Sequence, residues 1–217
     1  MSTAIIIQAR MGSARFPGKS LADLGGKTVI QRVVEACRRA DVGSVIVATS
    51  CASDCDPLVN HLFSLGVPFQ RGDELDVLKR YADIVRHSAY STVVRVTGDC
   101  PLVDHRTIKL LVDAFHARPP GYSYLGCANS PDGNDVEVFS ASELADADRL
   151  ATDPLDREHV TRWMRSRPSR MPCPEPAYDV RYSVDTPEDL ELCKRLVKSY
   201  GEHAPWDVYV SALKAWK

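Results

Sequence analysis

The sequence predicts an α/β fold in which a mainly parallel sheet is flanked by helices. Short runs of β-branched and other apolar residues alternate with longer segments whose apolar residues recur at helical spacing. This alternation is typical of parallel strands joined by helical crossovers. A chain of 217 residues with 44% hydrophobic content fits one domain, residues 1–217, better than two.

The composition limits the class of protein. The 27 basic residues are offset by 29 acidic ones, which argues against a protein that binds nucleic acid by neutralising phosphates along a duplex. The seven cysteines form no disulfide pattern, and the C-x3-C spacing of Cys51 and Cys55 lacks the second pair of a zinc site. We expect reduced thiols, a cytoplasmic location, and neither a signal peptide nor a membrane span.

The first predicted strand opens into a strongly basic loop, residues 9–19. Ile5 to Ile7 form an uninterrupted β-branched run, as expected for a strand that is covered on both faces. No acidic residue follows until Asp23, whereas the loop itself contains three cations and two glycines, which are Arg10, Gly12, Arg15, Gly18 and Lys19. Glycine allows a ligand to approach the backbone closely. The loop therefore predicts a polyanion site.

Two common phosphate-binding loops do not fit this segment. A P-loop has four residues between its first glycine and Gly-Lys-Ser/Thr, whereas Gly12 and Gly18 enclose five, and Pro17 removes a backbone donor. Before Gly26-Lys27-Thr28, Leu21 stands where the first glycine belongs. No G-x-G-x-x-G follows a predicted strand, so the dinucleotide fingerprint is absent as well.

The next segments continue the alternation of helix and strand. Helices are predicted over residues 28–39, 56–66 and 76–88, with Asp56 as a cap, and strands over 44–49, 67–69 and 92–96. Polar residues follow the third strand at Arg71-Gly72-Asp73 and the fourth at Thr97-Gly98-Asp99. Because ligands of such sheets bind outside the carboxyl ends of the strands, we expect these residues near the basic loop.

One of these strand-end residues, Asp99, is a candidate metal ligand. Its carboxylate lies between Gly98 and a proline turn, a setting that suits an oxygen ligand of Mg²⁺ or a simple turn or cap. Asp104, by contrast, is predicted to cap a helix over 106–117.

The second half of the chain predicts further elements. Extended segments are predicted at 122–125 and 135–139, and helices follow at 142–150 and 154–165. A last strand at 180–184 ends on Asp185. Thr186 and Asp189 then form a capping box for a helix that extends to Val197, and residues 206–216 form a final packing helix.

Several motifs of the chain together resemble one family. The loop fits A-R-x-G-S-x-R-x-P-x-K, and it is followed in order by R-G-D, D-V-L-x-R-Y, D-C-P-L, D-V-E-V-F and R-E-H-V-T, which begin at Arg71, Asp76, Asp99, Asp135 and Arg157. This set resembles the cytidylyltransferases that activate acidic sugars, most closely the branch named for spore-coat polysaccharide biosynthesis protein F. The resemblance implies a Rossmann-like fold of the nucleotide-diphospho-sugar transferase type.

The resemblance also implies roles for individual residues. Nucleotide binding is expected from Ala9, Arg10, Gly12, Ser13, Arg15, Lys19, Arg71, Asp76, Arg80, Thr97 and Gly98, with Arg10, Arg15 and Lys19 acting in catalysis. Mg²⁺ is expected at Asp99 and Asp185, and the acceptor at Asp135, Glu137, His159 and Arg181. Arg181 is favoured over His159, because it shares a strand face with Asp185, and Arg157 is expected on the rim or at a subunit contact.

The implied reaction is transfer of CMP from CTP to a small acidic acceptor, with release of pyrophosphate, in surface polysaccharide or related precursor synthesis. The partners would be CTP, the acceptor and a second copy of the chain in a homodimer. The extended segments at approximately 119–140 resemble the family's inserted strands, which implies that they contact the acceptor or the other copy. Gly133-Asn134 precedes D-V-E-V-F, where many members have Arg-Gly or Gly, so the acceptor's identity stays open.

Two other functions remain compatible with the sequence. A metal-dependent glycosyltransferase that uses a nucleotide sugar would also have a strand-end aspartate, although its usual D-x-D motif is missing. A non-catalytic nucleotide-binding protein would keep the fold without releasing pyrophosphate. A purely structural protein would not explain three cations in one loop.

Overall fold

The protein contains one mixed sheet with helices on both faces. A computed structural model describes residues 2–126, 130–172 and 178–216. Within these residues the sheet has the order β3-β2-β1-β4-β6-β5. The strands are β1 Ser2–Gln8, β2 Ser44–Ser50, β3 Phe69–Gly72, β4 Tyr90–Thr97, β5 Tyr124–Gly126 and β6 Val136–Ser140. β1 to β4 are parallel, and β6 and β5 complete one edge in antiparallel pairing.

The helices follow the predicted alternation closely. Their bounds are α1 Val29–Arg39, α2 Asp56–Ser64, α3 Val77–Arg86, α4 His105–His116, α5 Ala141–Leu150, α6 Pro154–Glu158, α7 Arg162–Arg165, α8 Pro187–Tyr200 and α9 Trp206–Ala215. The predicted caps Asp104 and Thr186 are confirmed, the latter in a capping box with Asp189. No helix in the described ranges is long and apolar enough to cross a membrane.

β1 is the buried centre of the fold. Ile5 and Ile7 face one side and pack with α1, α2 and α4, whereas Ile6 faces the other and packs with α3 and α5. All three side chains are fully buried, which confirms the prediction of a strand covered on both faces. A third apolar cluster joins α8 and α9 to residues 180–184.

The predicted insertion is part of the main sheet. β6 pairs directly with β4, and β5 pairs with β6, so the antiparallel strands extend the parallel sheet. Residues 127–129 of the predicted insertion lie outside the described residues.

Three predicted elements differ in substance from the observed ones. The third strand covers 69–72 rather than 67–69, so Arg71 and Gly72 lie inside β3. The helix predicted over 154–165 is divided into α6 and α7, because Val160 takes a left-handed backbone conformation, with φ 53°. The segment 180–184 is extended but is not a strand of the sheet. Its only ladder contact with another described residue is a single bridge between Asp132 and Arg181.

The predicted cap of α2 is also wrong. Cys55 occupies the N-cap position, and no side chain caps the helix. Asp56 is the first residue of α2, and its carboxylate pairs with Arg71 at 2.8 Å. Asp56 has helical backbone angles, φ −60° and ψ −39°, so it lies within the helix and not in the extended conformation that is typical of an N-cap.

Candidate active site

The basic loop folds back on itself at the carboxyl end of β1. Gly18, with φ 76°, donates its N–H to the carbonyl of Met11 at 3.0 Å, and Ser20 donates its hydroxyl to the carbonyl of Arg10 at 3.1 Å. Gly98, directly after β4, packs tightly against the start of this loop, because a Cβ there would lie 2.7 Å from the Gln8 carbonyl oxygen and 2.8 Å from the Ala9 Cβ. A side chain at position 98 would therefore push the ends of β1 and β4 apart.

A cavity of about 420 Å³ lies between the basic loop, the ends of β1 and β4, and α3. Most of the predicted site residues line it, namely Ala9, Arg10, Ser13, Arg15, Lys19, Arg80, Thr97, Gly98, Asp99, His159 and Asp185. These residues come from distant parts of the sequence, and the fold brings them together at the edge where ligands of α/β sheets bind.

Lys19 joins the two predicted metal ligands. Its Nζ lies 2.8 Å from Asp99 Oδ2 and 2.9 Å from Asp185 Oδ1. Burial disfavours the charged amine, but the two carboxylates outweigh that effect and raise the pKa of Lys19 above its usual value. The ammonium group has three N–H donors, so one remains for a ligand after these two hydrogen bonds.

Asp185 is held in place by cations and by the backbone. Its Oδ2 lies 3.0 Å from Arg15 Nη2 and 2.7 Å from Arg181 Nη2. Burial opposes ionisation, yet the hydrogen bond and charge of Lys19, together with the arginines, lower the pKa of Asp185. The preceding residue, Val184, donates its N–H to the carbonyl of Asp99 at 2.8 Å, which brings this segment to the end of β4.

The chemistry of this pair fits the predicted magnesium ion. Carboxylate oxygens are the hard ligands that Mg²⁺ prefers, and two of them suit an ion that keeps several waters and binds substrate phosphates. Among the residues that the structure describes, no group of three or more His, Cys, Asp and Glu could hold a metal by itself. Asp99 and Asp185 would therefore share the ion with a ligand.

Arg80 is a buried cation in the wall of the cavity. It is 2% exposed, and its Nη atoms reach only the carbonyls of Ala48 and Glu74, at 3.5 and 3.4 Å. Its Nε has no partner, and Arg80 forms no ion pair with any described residue. Burial lowers the pKa of Arg80. An oxygen-rich ligand would satisfy these donors.

Arg10 and Arg15 are more accessible than Arg80. Among the residues that the structure describes, the Arg10 guanidinium makes only long ion pairs, at 4.0 Å to Glu74 and 3.8 Å to Glu158, and the Arg15 side chain is 62% exposed. Both guanidinium groups are thus available to an anion that enters the cavity.

Three predicted nucleotide contacts lie outside the cavity. Gly12 is in the basic loop, where a Cβ would lie 3.2 Å from Glu74 Oε1. Arg71 donates to the carbonyls of Ser50 and Ala52, at 3.0 and 2.9 Å, in addition to its ion pair with Asp56. Asp76 caps α3 through the N–H of Lys79. The structure thus gives Arg71 and Asp76 local structural partners.

The predicted rim residue Arg157 is one of these partners. It pairs with both Asp76 and Asp148 at 2.7 Å, away from the cavity lining. His159 follows the end of α6 and is exposed at the cavity. The two residues are separated by the end of a helix, so the prediction that both lie on one straight helix is wrong.

The structure does not bring Glu137 to the cavity as predicted. Glu137 is 5% exposed, and its carboxylate accepts hydrogen bonds from Tyr124, Thr161, Arg165 and Arg95. Burial opposes ionisation, but the two arginines outweigh it and lower the pKa of Glu137 to about 2. This side chain joins β4, β5, β6 and α7 in a buried network.

Two other predicted acceptor contacts, Arg181 and Asp135, are also absent from the cavity lining. Arg181 donates to Asp185 Oδ2 at 2.7 Å, and it lies 3.3 Å from Asp189 Oδ2. The prediction that Arg181 shares the side of Asp185 is confirmed, but its Nη2 is used by the carboxylates of Asp185 and Asp189. Asp135 accepts the N–H of Gly133 at 3.0 Å.

The cavity also contains residues that were not predicted, which are Gln8, Ala14, Ser20, Val77 and Glu158. Gln8 had a signal in the sequence, since it is the first polar residue after the apolar run of β1 and directly precedes the basic loop. Glu158 had none, because its approach to the cavity depends on how α6 packs.

Comparisons with known proteins agree with this geometry. A family model described as cytidylyltransferase matches residues 4–207. The spore coat polysaccharide biosynthesis protein SpsF of Bacillus subtilis is 34% identical, over 96% of this chain and 90% of that protein. An uncharacterized protein of Methanocaldococcus jannaschii is 30% identical, over 90% of this chain and 83% of that protein.

Solved structures show the same architecture. A cytidylyltransferase from Leptospira borgpetersenii superposes with a TM-score of 0.90 at 28% identity, covering 99% of this chain and 94% of that chain. A CMP:2-keto-3-deoxy-manno-octonic acid synthetase in complex with CTP has a TM-score of 0.71 at 20% identity, covering 91% of this chain and 99% of that one. The second likeness shows the fold alone.

Proposed function

Because the chain belongs to the cytidylyltransferase family, we propose that it transfers CMP from CTP to a small acidic acceptor and releases pyrophosphate. Its place as a CTP-dependent nucleotidyltransferase follows from the family. The acidic acceptor and a role in surface polysaccharide synthesis are the finer part of the proposal. The name of the Bacillus subtilis relative supports the latter.

The observation that carries the proposal is the position of the Lys19 amine between Asp99 and Asp185 in a cavity walled by the basic loop. Nucleotidyl transfer needs cations around a triphosphate and acidic ligands for its metal. Both requirements are met within one cavity, and its volume of about 420 Å³ suits a small-molecule ligand.

In the proposed reaction, an oxygen of the acceptor attacks the α-phosphorus of CTP. A phosphorus–oxygen bond forms to the acceptor as the bond to the β-phosphate oxygen breaks, and pyrophosphate leaves with the bonding electron pair. Lys19, Arg10 and Arg15 stabilise the negative charge on the triphosphate and on the departing pyrophosphate. No covalent bond to the protein is required.

The other cavity residues bind and orient the two substrates. On the α3 side of the cavity, Arg80 provides N–H donors that are not paired with a carboxylate of the described residues. His159 is exposed at the cavity for contact with the acceptor. Mg²⁺ held by Asp99 and Asp185 would supply further neutralisation of phosphate charge when bound. Arg181 and Asp189 keep Asp185 oriented toward Lys19.

Pyrophosphate release from each of the four ribonucleoside triphosphates tests the proposal. The assay contains Mg²⁺ and a panel of sugar acids, phosphoglycerate-like acids and phosphonates. We expect CTP to be preferred about a hundredfold or more, since a polar site rejects ligands that leave its groups unpaired. Equal use of UTP, or release without an acidic acceptor, would contradict the proposal. The expected homodimer is tested separately by sedimentation velocity.

A further inference from the structure

Gln8 ends β1, and its side chain lines the cavity. Its Oε1 lies 3.0 Å from Arg95 Nε and 3.3 Å from the hydroxyl of Tyr81. Tyr81 is fully buried, and its hydroxyl also lies 3.1 Å from the carbonyl of Ile6. The oxygen end of the Gln8 amide is thus held from behind by two side chains.

Chemistry determines which way the Gln8 amide points. The Nε of arginine is a donor and cannot accept, so the amide atom that faces Arg95 must be the oxygen. Rotating the amide by 180° would place two donors against each other, so the Nε2 end is directed away from Arg95.

Arg95 cannot move to accept a different orientation. One of its Nη atoms donates to Glu137, whose carboxylate also accepts from Arg165 at 2.6 Å and from the hydroxyl of Thr161 at 2.9 Å. Because Glu137 is almost fully buried, loss of Arg95 would leave its charge without one of its two partners. This network fixes the guanidinium, and the guanidinium fixes Gln8.

The Nε2 atom of Gln8 therefore has two N–H donors and no hydrogen-bond partner in residues 2–126, 130–172 and 178–216. Around it the cavity is otherwise rich in cationic donors, including Arg10, Lys19 and Arg80. A neutral amide donor adds directional recognition without more charge.

We propose that Gln8 Nε2 donates a hydrogen bond to an oxygen of a substrate in this cavity, which makes Gln8 a specificity-determining residue of the transfer reaction. The inference rests on the proposed function. A carbonyl oxygen of the pyrimidine and a hydroxyl or carboxylate oxygen of the acceptor share this chemistry, and the experiment distinguishes them.

Three variants test the role of Gln8. Gln8→Glu keeps the shape and an oxygen for Arg95, but it replaces the amide donor with an anionic acceptor. Gln8→Met keeps the length and removes the donor without adding charge. Gln70→Glu is the matched control, because Gln70 is exposed in β3 and its amide donates to the carbonyl of Arg71 at 3.2 Å, outside the cavity.

The kinetic parameters for both substrates and the calorimetric Kd for CTP are measured for each variant. We expect Gln8→Glu and Gln8→Met to lower kcat/KM for one substrate at least tenfold, with Gln70→Glu unchanged. The thermal midpoint of Gln8→Glu should stay near that of wild type, whereas Gln8→Met should lower it, because Met also removes the acceptor of Arg95 Nε. Weaker CTP binding in the absence of acceptor identifies the nucleotide as the partner. Unchanged CTP binding together with a lower kcat/KM for the acceptor identifies the acceptor as the partner.

The inference is overturned if Gln8→Met keeps both kcat/KM values within twofold of wild type, even where Gln8→Glu is inactive, because charge alone would then explain the loss. It is also overturned if Gln70→Glu loses as much as the Gln8 variants. These results are distinct from a failure of the proposed function, which would appear as absence of CTP-dependent pyrophosphate release in the wild-type protein.

Discussion

Lys19 Nζ lies 2.8 Å from Asp99 Oδ2, across 80 residues of sequence. We predict that Lys19→Ala lowers kcat/KM for CTP at least tenfold, because each charge-assisted hydrogen bond to a phosphate contributes about 1.5 to 3 kcal/mol. Pyrophosphate release measures the effect. Lys27→Ala is the control, since Lys27 pairs with Glu35 and Glu202 outside the cavity. Wild-type turnover in folded Lys19→Ala would contradict the role of the loop.

The second prediction concerns the metal. If Asp99 and Asp185 share one Mg²⁺, then Asp99→Asn and Asp185→Asn each raise the Mg²⁺ concentration needed for half-maximal activity. The fold-loss of activity in the double variant should be far smaller than the product of the two single fold-losses, because the carboxylates act as a unit. Asp113→Asn is the control. Because Asp113 forms an exposed ion pair with Lys109, this variant should need the same Mg²⁺ concentration as wild type. Additive losses, or activity in the presence of a chelator, would indicate separate roles.

The central part of the fold could be predicted from sequence because local signals and burial agree there. The apolar run of β1 and the helical spacing in α1 and α3 are long enough to identify these elements. The basic loop was found for the same reason, since its charges and glycines are contiguous in sequence and do not depend on distant contacts.

The segment 180–184 shows where this reasoning fails. Val180, Tyr182 and Val184 alternate with polar residues and are buried, as in a strand. They pack against α8 and α9 rather than beside a neighbouring strand. Alternation reports which side of an extended segment is buried, and it does not identify the hydrogen-bond partner.

The break between α6 and α7 depends on tertiary contacts. Val160 is fully buried despite its left-handed backbone, and the hydroxyl of Thr161 donates to Glu137. Neither contact has a local signal in the sequence, so a continuous helix was predicted. The same applies to Glu137 itself, whose hydrogen-bond partners come from β4, β5 and the N-cap and last residue of α7.

The third prediction follows from the observed partners of Arg181. We expect Arg181→Met to lower kcat about tenfold with little change in either KM, because the variant releases Asp185 and Asp189 rather than a substrate. In a protein that already contains Asp185→Asn, Arg181→Met should cause almost no further loss of kcat. Arg195→Met is the control, since Arg195 stacks over Trp216 at 4.4 Å.

Steady-state rates measured while the concentrations of both substrates are varied test this prediction against the sequence-based one, in which Arg181 binds the acceptor. A rise confined to the KM of the acceptor would show that Arg181 contacts the acceptor directly. Strict additivity with Asp185→Asn would show that the two residues act independently.

The last prediction concerns the pH dependence of stability at Glu137. Its pKa is about 2 in the folded protein, against a usual value of 4.5. A depressed carboxyl pKa stabilises the fold above the unfolded pKa, and this contribution is lost as the pH falls from about 4.5 toward 2. Replacing the carboxylate by a neutral amide should therefore lower the free energy of unfolding at neutral pH and lower it less in acid.

We expect Glu137→Gln to lower the free energy of unfolding at pH 7 by about 3 kcal/mol, the scale on which loss of one partner destabilises a buried ion pair. Urea denaturation at pH 7 and pH 3 measures this difference, which should shrink at pH 3. Glu143→Gln is the control, because Glu143 is also buried but accepts from the hydroxyls of Ser123 and Ser169. Hydrogen bonds from neutral donors are weaker, so its loss should be less than half as large. Equal losses in the two variants, or a Glu137→Gln effect that does not change between pH 7 and pH 3, would show that Arg95 and Arg165 do not stabilise the charged form of Glu137.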